Sequence, residues 1–175
     1  GEDIPFGSLL FENDNNKITF GIEICADLWS GYNPHSELYS NGADIVFNLS
    51  ATPFYLGKDE IREMLVKNAS YKYNGAYLYV ACGQSETSSD FIFESHQIAF
   101  NCGNLLLNDN NYTLDEKVNY VDIDLELIKY SKVKEYSKYV KDALIEMRRQ
   151  TKDTFDKNGI MKSGLIIRHM ILPNN

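Results

Sequence analysis

Three apolar runs, each of strand length and each followed by a polar turn, constrain this chain more than any other feature. The first, Lys17 to Cys25, alternates, with Ile18, Phe20, Ile22 and Ile24 on one face and Thr19, Gly21, Glu23 and Cys25 on the other; a two-residue period is that of a strand. The second, Ala43 to Leu49, runs into Ser50-Ala51-Thr52-Pro53, and the third, Tyr77 to Cys82, runs into Gly83. Continuous runs of this kind suit buried strands. Between them lie a short helical stretch around Ser36 to Ser40, closed by Asn41-Gly42, and a longer one from Lys58 to Tyr73, closed by Asn74-Gly75. Asn and Gly are favoured at such helix stops because they tolerate the left-handed conformation. Strand, helix, strand, helix, strand predicts an α/β unit with parallel strands and right-handed crossovers.

A different pattern follows. Phe91 to Phe93, His96 to Phe100, Leu105 to Leu107 and Tyr120 to Ile123 read as short strands separated by Asn-Cys-Gly-Asn and Asn-Asp-Asn-Asn turns, which predicts an antiparallel meander. Beyond Leu125, the spacing of Tyr136, Val140, Ala143, Leu144 and Met147 follows the helical period up to Asn158-Gly159, and Leu165 to Leu172 is an apolar tail. No linker rich in Gly, Ser or Pro interrupts the chain. Residues 1–130 are therefore expected to form the main domain, and 131–175 a C-terminal helix with its tail.

Several function classes fall away on composition. The net charge is -8 over 175 residues, which argues against a broad phosphate-binding surface, so a general nucleic-acid binder is not expected. No run reaches the roughly 20 apolar residues of a membrane-spanning helix, and no membrane partner is expected. Three widely spaced cysteines, Cys25, Cys82 and Cys102, fit neither a disulfide framework nor a metal knuckle, so a reducing, cytoplasmic setting is expected. His35, His96 and His169 lack metal-ligand spacing, and no metal site is predicted. Neither a Gly-x-Gly-x-x-Gly stretch nor a P-loop is present. Gly83-Gln84-Ser85-Glu86-Thr87 resembles a serine-hydrolase elbow but lacks its closing Gly.

Cys25 is the one candidate nucleophile with a suitable setting. It ends a strand and is followed by Ala26-Asp27-Leu28-Trp29, which cannot continue the alternation. A thiol on such a turn stands clear of the sheet, with the N–H groups behind it free to hold an oxyanion. A buried packing thiol is the competing reading, since free Cys is among the most buried residue types. Cys82, in an apolar strand, and Cys102, in a turn, read as packing residues.

Gly21-Ile22-Glu23-Ile24-Cys25-Ala26-Asp27-Leu28-Trp29, then Asn48-Leu49-Ser50-Ala51-Thr52 with Gly57-Lys58, then Ser88-Ser89-Asp90, resemble in order and spacing the glutaminase domains of glutamine-dependent NAD(+) synthetases. Those domains belong to the nitrilase, or carbon-nitrogen hydrolase, superfamily. The resemblance runs from Ile4 to Asp124, with Asp3-Ile4-Pro5-Phe6-Gly7 leading into the first strand. It implies a four-layer α-β-β-α sandwich of which this chain supplies the later part, with the strands followed by the meander and a C-terminal helix.

The same resemblance implies Cys25 as nucleophile, the backbone N–H of Ala26 as oxyanion donor, and Trp29, Thr52 and Lys58 as lining for an L-glutamine pocket. The family usually has Glu where this sequence has Ala26. Its general-base Glu and oxyanion-binding Lys belong to segments ahead of Ile4, so the chain is expected to be a fragment, incomplete and inactive by itself. In the complete ligase, ammonia would pass to a separate synthetase domain that amidates deamido-NAD in NAD biosynthesis. ATP and magnesium are implied for that domain, none is expected as a cofactor here, and a homo-oligomer is expected. A stand-alone nitrilase-type amidase, or a non-catalytic module of the same ancestry, would share these motifs.

Overall fold

Six strands form one mixed sheet in simple chain order, β1-β2-β3-β4-β5-β6. They are β1 Leu10–Asn13, β2 Ile18–Ile24, β3 Ile45–Ser50, β4 Ala76–Ala81, β5 Gln97–Asn101 and β6 Asn104–Asp109. The central three run parallel, and the outer pairings are antiparallel. Parallel neighbours need a crossover; helix α1, Pro34–Ser40, carries β2 to β3, and α2, Lys58–Lys72, carries β3 to β4. This computed structural model describes residues 7–15, 17–88, 90–110 and 113–135. By its contacts the chain divides into two units, Gly1–Lys132 and Val133–Asn175, and the sheet belongs to the first.

Local sequence sets the element ends. Pro34 occupies the first turn of α1, where its missing N–H costs nothing, and Asn74, at φ 52, ends α2 in the left-handed conformation. The predicted strand–helix order and parallel pairing are therefore present. Two of the four meander strands are not. Phe91–Phe93 is loop, its backbone taken up by the Ser88 and Thr87 side chains and by the bond from the Phe54 N–H to the Ile92 carbonyl. Tyr120–Ile123 also has no regular structure and no ladder, and Ile123 packs against the Ile45, Ala76 and Ile128 cluster. Sequence reading missed β1, a short exposed edge strand that pairs with β2 through the turn closed by the Lys17 N–H on the Asn13 carbonyl, 2.8 Å. Residues 3–6, the helix expected over Tyr136 to Met147 and the tail Leu165 to Leu172 lie outside the described residues.

The two faces of the sheet differ. On one face Leu38 and Tyr39 of α1 and Val66 and Ala69 of α2 pack with Val46, Tyr77, Tyr79, Ile98 and Phe100 of the strands. Helix α1 sits so close to β2 that a Cβ on Gly21 would lie 2.7 Å from a Leu38 methyl. On the other face, among the described residues of this unit, helical residues 125–132 cover one end, where Ile128 packs with Ile45, Ala76, Phe20 and Phe47. The remainder, Ile22, Ile24, Leu49 and Val80, is exposed. For β2 the buried side is thus the Gly21 and Glu23 face, not the isoleucine face.

Candidate active site

Strand β2 ends at Ile24, and the chain turns at once into a single 3-10 turn, Cys25–Trp29. Cys25 takes φ 50, a left-handed conformation that is uncommon for a side chain without a local hydrogen bond and costs about 1–3 kcal/mol. The surrounding bonds hold it there. The Asp27 carboxylate accepts the Ile24 N–H at 2.8 Å, and the Asn33 amide donates to the Asp27 and Leu28 carbonyls at 2.9 and 3.1 Å. The first N–H groups of a helix have no internal partner, and among the described residues no acceptor meets the N–H of Ala26.

Strand β3 pairs beside β2, with Glu23 opposite Asn48, so the loop after β3 arrives next to Cys25. The Thr52 hydroxyl lies 3.8 Å from the Cys25 sulfur. Lys58 opens α2 directly after Gly57, whose φ of 79 suits glycine. Its Nζ donates to the Pro53 carbonyl at 3.1 Å and the Tyr55 hydroxyl at 2.9 Å, and lies 4.0 Å from the Tyr55 ring centre and 5.2 Å from that of Trp29. Aromatic faces attract a cation, and among the described residues no carboxylate pairs with this one. The Trp29 indole N–H is buried and meets no acceptor among them.

Cys25, Ala26, Trp29, Thr52 and Lys58, predicted from separate motifs, line one cavity of about 490 Å³. Sequence reading missed Tyr55, whose ring and hydroxyl hold the Lys58 ammonium; its place three residues before a helix-opening Lys was the available signal. The cavity lies outside the carboxyl ends of β2 and β3, the usual ligand position in open parallel sheets.

The neighbouring titratable groups are committed elsewhere. Burial would raise the Glu23 carboxyl, but hydrogen bonds from His35, Tyr77 and Asn48 outweigh it and hold the group below its usual range. Those partners are the His35 ring at 3.1 Å, the His35 backbone N–H at 2.9 Å, Asn48 at 3.2 Å and the Tyr77 hydroxyl. Glu23 is therefore no free base for Cys25, and neither is Asp27, which caps the turn. Burial pushes the Cys82 thiol up, as does Glu86, and burial likewise raises Cys102. Neither lines this cavity.

The chain is 29% identical over 136 residues to a glutamine-dependent NAD(+) synthetase of Mycobacterium bovis, an alignment covering 77% of this chain and 20% of that protein. The chain thus spans about a fifth of the length of the curated relatives it matches. Among solved structures, the glutamine-dependent NAD(+) synthetase of Acinetobacter baumannii superposes with a TM-score of 0.56 at 24% identity, over 65% of this chain and 21% of that one. The carbon-nitrogen hydrolase of Helicobacter pylori superposes with a TM-score of 0.55 at 17% identity, over 66% and 43%. No protein-family model matches the chain.

Proposed function

We propose that this chain, a homologue of glutamine-dependent NAD(+) synthetases over 77% of its length with the fold of the nitrilase, or carbon-nitrogen hydrolase, superfamily, supplies Cys25 as the nucleophile for hydrolysis of the side-chain amide of L-glutamine, a reaction it does not complete by itself. The observation that carries this reading is the strained placement of Cys25, at φ 50 on a strand-to-helix turn, at the wall of a cavity also lined by the Thr52 hydroxyl, by Ala26 and by the Lys58 ammonium, which has no carboxylate partner among the described residues. The Cys25 thiolate attacks the carboxamide carbon, forming the C–S bond while the carbonyl electrons move to oxygen. The Ala26 N–H donates to that oxyanion. Collapse breaks the C–N bond, the nitrogen takes a proton and leaves as ammonia, and a glutamyl thioester remains. Water then adds to the thioester carbon, the C–S bond breaks, and glutamate and the thiol are released.

Lys58 and Thr52 suit the polar end of glutamine, an ammonium for its α-carboxylate and a hydroxyl near the reacting sulfur. Glu23 and Asp27 are engaged, so the general base, which typically contributes about 10²- to 10⁴-fold, and a cation beside the Ala26 N–H at the oxyanion are assigned to the Glu and Lys segments of the family. The exposed apolar face of β2 to β4 supports the four-layer sandwich, in which a second sheet would cover it. Ammonia so released would serve the amidation of deamido-NAD in a synthetase domain, which would also handle ATP and magnesium. Assembly as a homo-oligomer in the cytoplasm belongs to the same reading.

A glutamine-mimicking diazoketone tests the site without requiring turnover. It should modify Cys25, and free glutamine should protect. Adducts mapped by mass to Cys82 or Cys102, or protection by simple aliphatic amides as effective as that by glutamine, would overturn the nucleophile or the substrate respectively.

A further inference from the structure

Thr52 is itself held by a group deeper in the sheet. The Tyr79 hydroxyl donates to Thr52 Oγ1 at 3.3 Å, and Thr52 Oγ1 lies 3.8 Å from the Cys25 sulfur. Tyr79 is fully buried on β4, 0% exposed, opposite Asn48 of β3. Its ring lies 5.3 Å from the Arg62 guanidinium of α2. Arg62 is equally buried and bonds Glu94 and, at 2.6 Å, the His96 ring, which reaches Asn108 at 2.7 Å. The phenol therefore has little rotational choice, and among the described residues its acceptor is Thr52.

A hydroxyl carries one proton and two lone pairs. When Tyr79 donates into Thr52 Oγ1, the Thr52 proton remains for its other neighbour, which is sulfur. We propose, on the reading that Cys25 is the nucleophile, that Tyr79 is a positioning residue: it sets the direction of the Thr52 hydroxyl so that Thr52 donates to the Cys25 thiolate. Hydrogen bonds in such a chain also polarise one another. Tyr79 touches neither substrate nor sulfur and acts only through Thr52. Nothing in the strand pattern of Tyr77 to Cys82 distinguishes Tyr79 from its neighbours; only the pairing of β3 with β4 brings it under Thr52.

The test is the rate of Cys25 alkylation by iodoacetamide against pH, mapped peptide by peptide in the full 175-residue chain. Losing one hydrogen bond to the thiolate should slow alkylation at pH 7 by roughly threefold to tenfold in Thr52→Val and move the profile to higher pH. Tyr79→Phe should act in the same direction by less, and Thr52→Ser should keep the wild-type profile. Because both groups belong to one chain, the Tyr79→Phe/Thr52→Val double variant should react like Thr52→Val alone. Cys102, remote from the cavity, reports on general loosening and should be unchanged in every variant.

A wild-type profile in Tyr79→Phe, an equal Tyr79→Phe effect with and without the Thr52 hydroxyl, or a parallel change at Cys102 would overturn the proposal. Iodoacetamide needs no glutamine pocket. A chain whose Cys25 ignores the glutamine analogue but shows the predicted pH shifts loses the glutaminase reading and keeps the relay; the reverse result loses only the relay.

Discussion

The two faces of the sheet are built on opposite rules. Toward α1 and α2 the strands present Glu23, Asn48, Tyr77 and Tyr79, all at 2% exposure or less. Away from these helices they present Ile22, Ile24, Leu49 and Val80, at 39, 56, 51 and 42%. A half-solvated sheet ordinarily turns its polar side to water. Here the side that carries Glu23, Asn48 and the two tyrosines is covered, together with Val46, Ile98 and Phe100, and much of the opposite, apolar side is open. The covered face tolerates a carboxylate because four donors surround it, so hydrogen bonding offsets desolvation. The open face keeps the composition of an interior.

The largest expected effect tests the covered face. Glu23→Ala leaves the His35 backbone N–H, the Asn48 amide and the Tyr77 hydroxyl without their acceptor. Breaking such a buried polar cluster from one side should cost about 3–5 kcal/mol in urea unfolding at neutral pH. Glu23→Gln, which keeps the shape, should cost less. The pH dependence has a definite sign. The folded-state carboxyl is depressed below its usual value of 4.5, so its contribution is full above that pH and is lost as pH falls through the folded value. The acid limb of the wild-type stability curve should accordingly flatten in Glu23→Gln. A Glu23→Ala chain as stable as wild type would mean that the covered face owes nothing to its charge.

The next effect lies at the rim where the covered face meets the cavity. Lys58 is held by a carbonyl, a hydroxyl and two rings but by no carboxylate among the described residues, unlike Glu23, whose donors are all supplied by the protein. A charge left in this state is available to a ligand. A charged hydrogen bond is worth about 1.5–3 kcal/mol, so Lys58→Ala should raise the glutamine concentration needed to protect Cys25 by tenfold or more. Stability should change far less than in Glu23→Ala. Unchanged protection would make Lys58 a structural residue like its neighbours.

Much of this was legible from residue order alone, because the features concerned are local. The alternation from Ile18 to Ile24, the Asn-Gly stops at 41–42 and 74–75 and the break, expected after Cys25 and found one residue earlier, after Ile24, each have a near-neighbour cause. Cys25, Ala26, Trp29, Thr52 and Lys58 came from motif order, and one cavity holds them. What sequence could not give depends on pairing. Phe91–Phe93 has strand composition but no neighbouring strand among the described residues, while β1 is short and exposed and pairs because the bond from the Lys17 N–H to the Asn13 carbonyl returns the chain to β2. The Glu23 cluster and the Tyr79 relay assemble residues 12 to 54 positions apart. Nor does alternation say which face is buried, since a strand with two covered sides satisfies the same pattern.

The smallest expected effect addresses that last point. Val46 and Val80 sit on adjacent parallel strands, on opposite faces, at 0 and 42% exposure. Val→Thr is nearly isosteric, so in both places it exchanges a methyl for a hydroxyl without altering volume or strand propensity. At Val46 the new hydroxyl enters the helix-covered core without a provided partner, and the cost should be about 1–3 kcal/mol. At Val80 it meets solvent, and the change should stay within about 0.5 kcal/mol. Urea unfolding of the two variants under identical conditions measures the contrast directly. If Val80→Thr costs as much as Val46→Thr, the apolar face of β4 is covered in solution, and dilution decides by what. A cost that shrinks as the protein is diluted identifies another copy of the chain, whereas a constant cost identifies residues of the same chain.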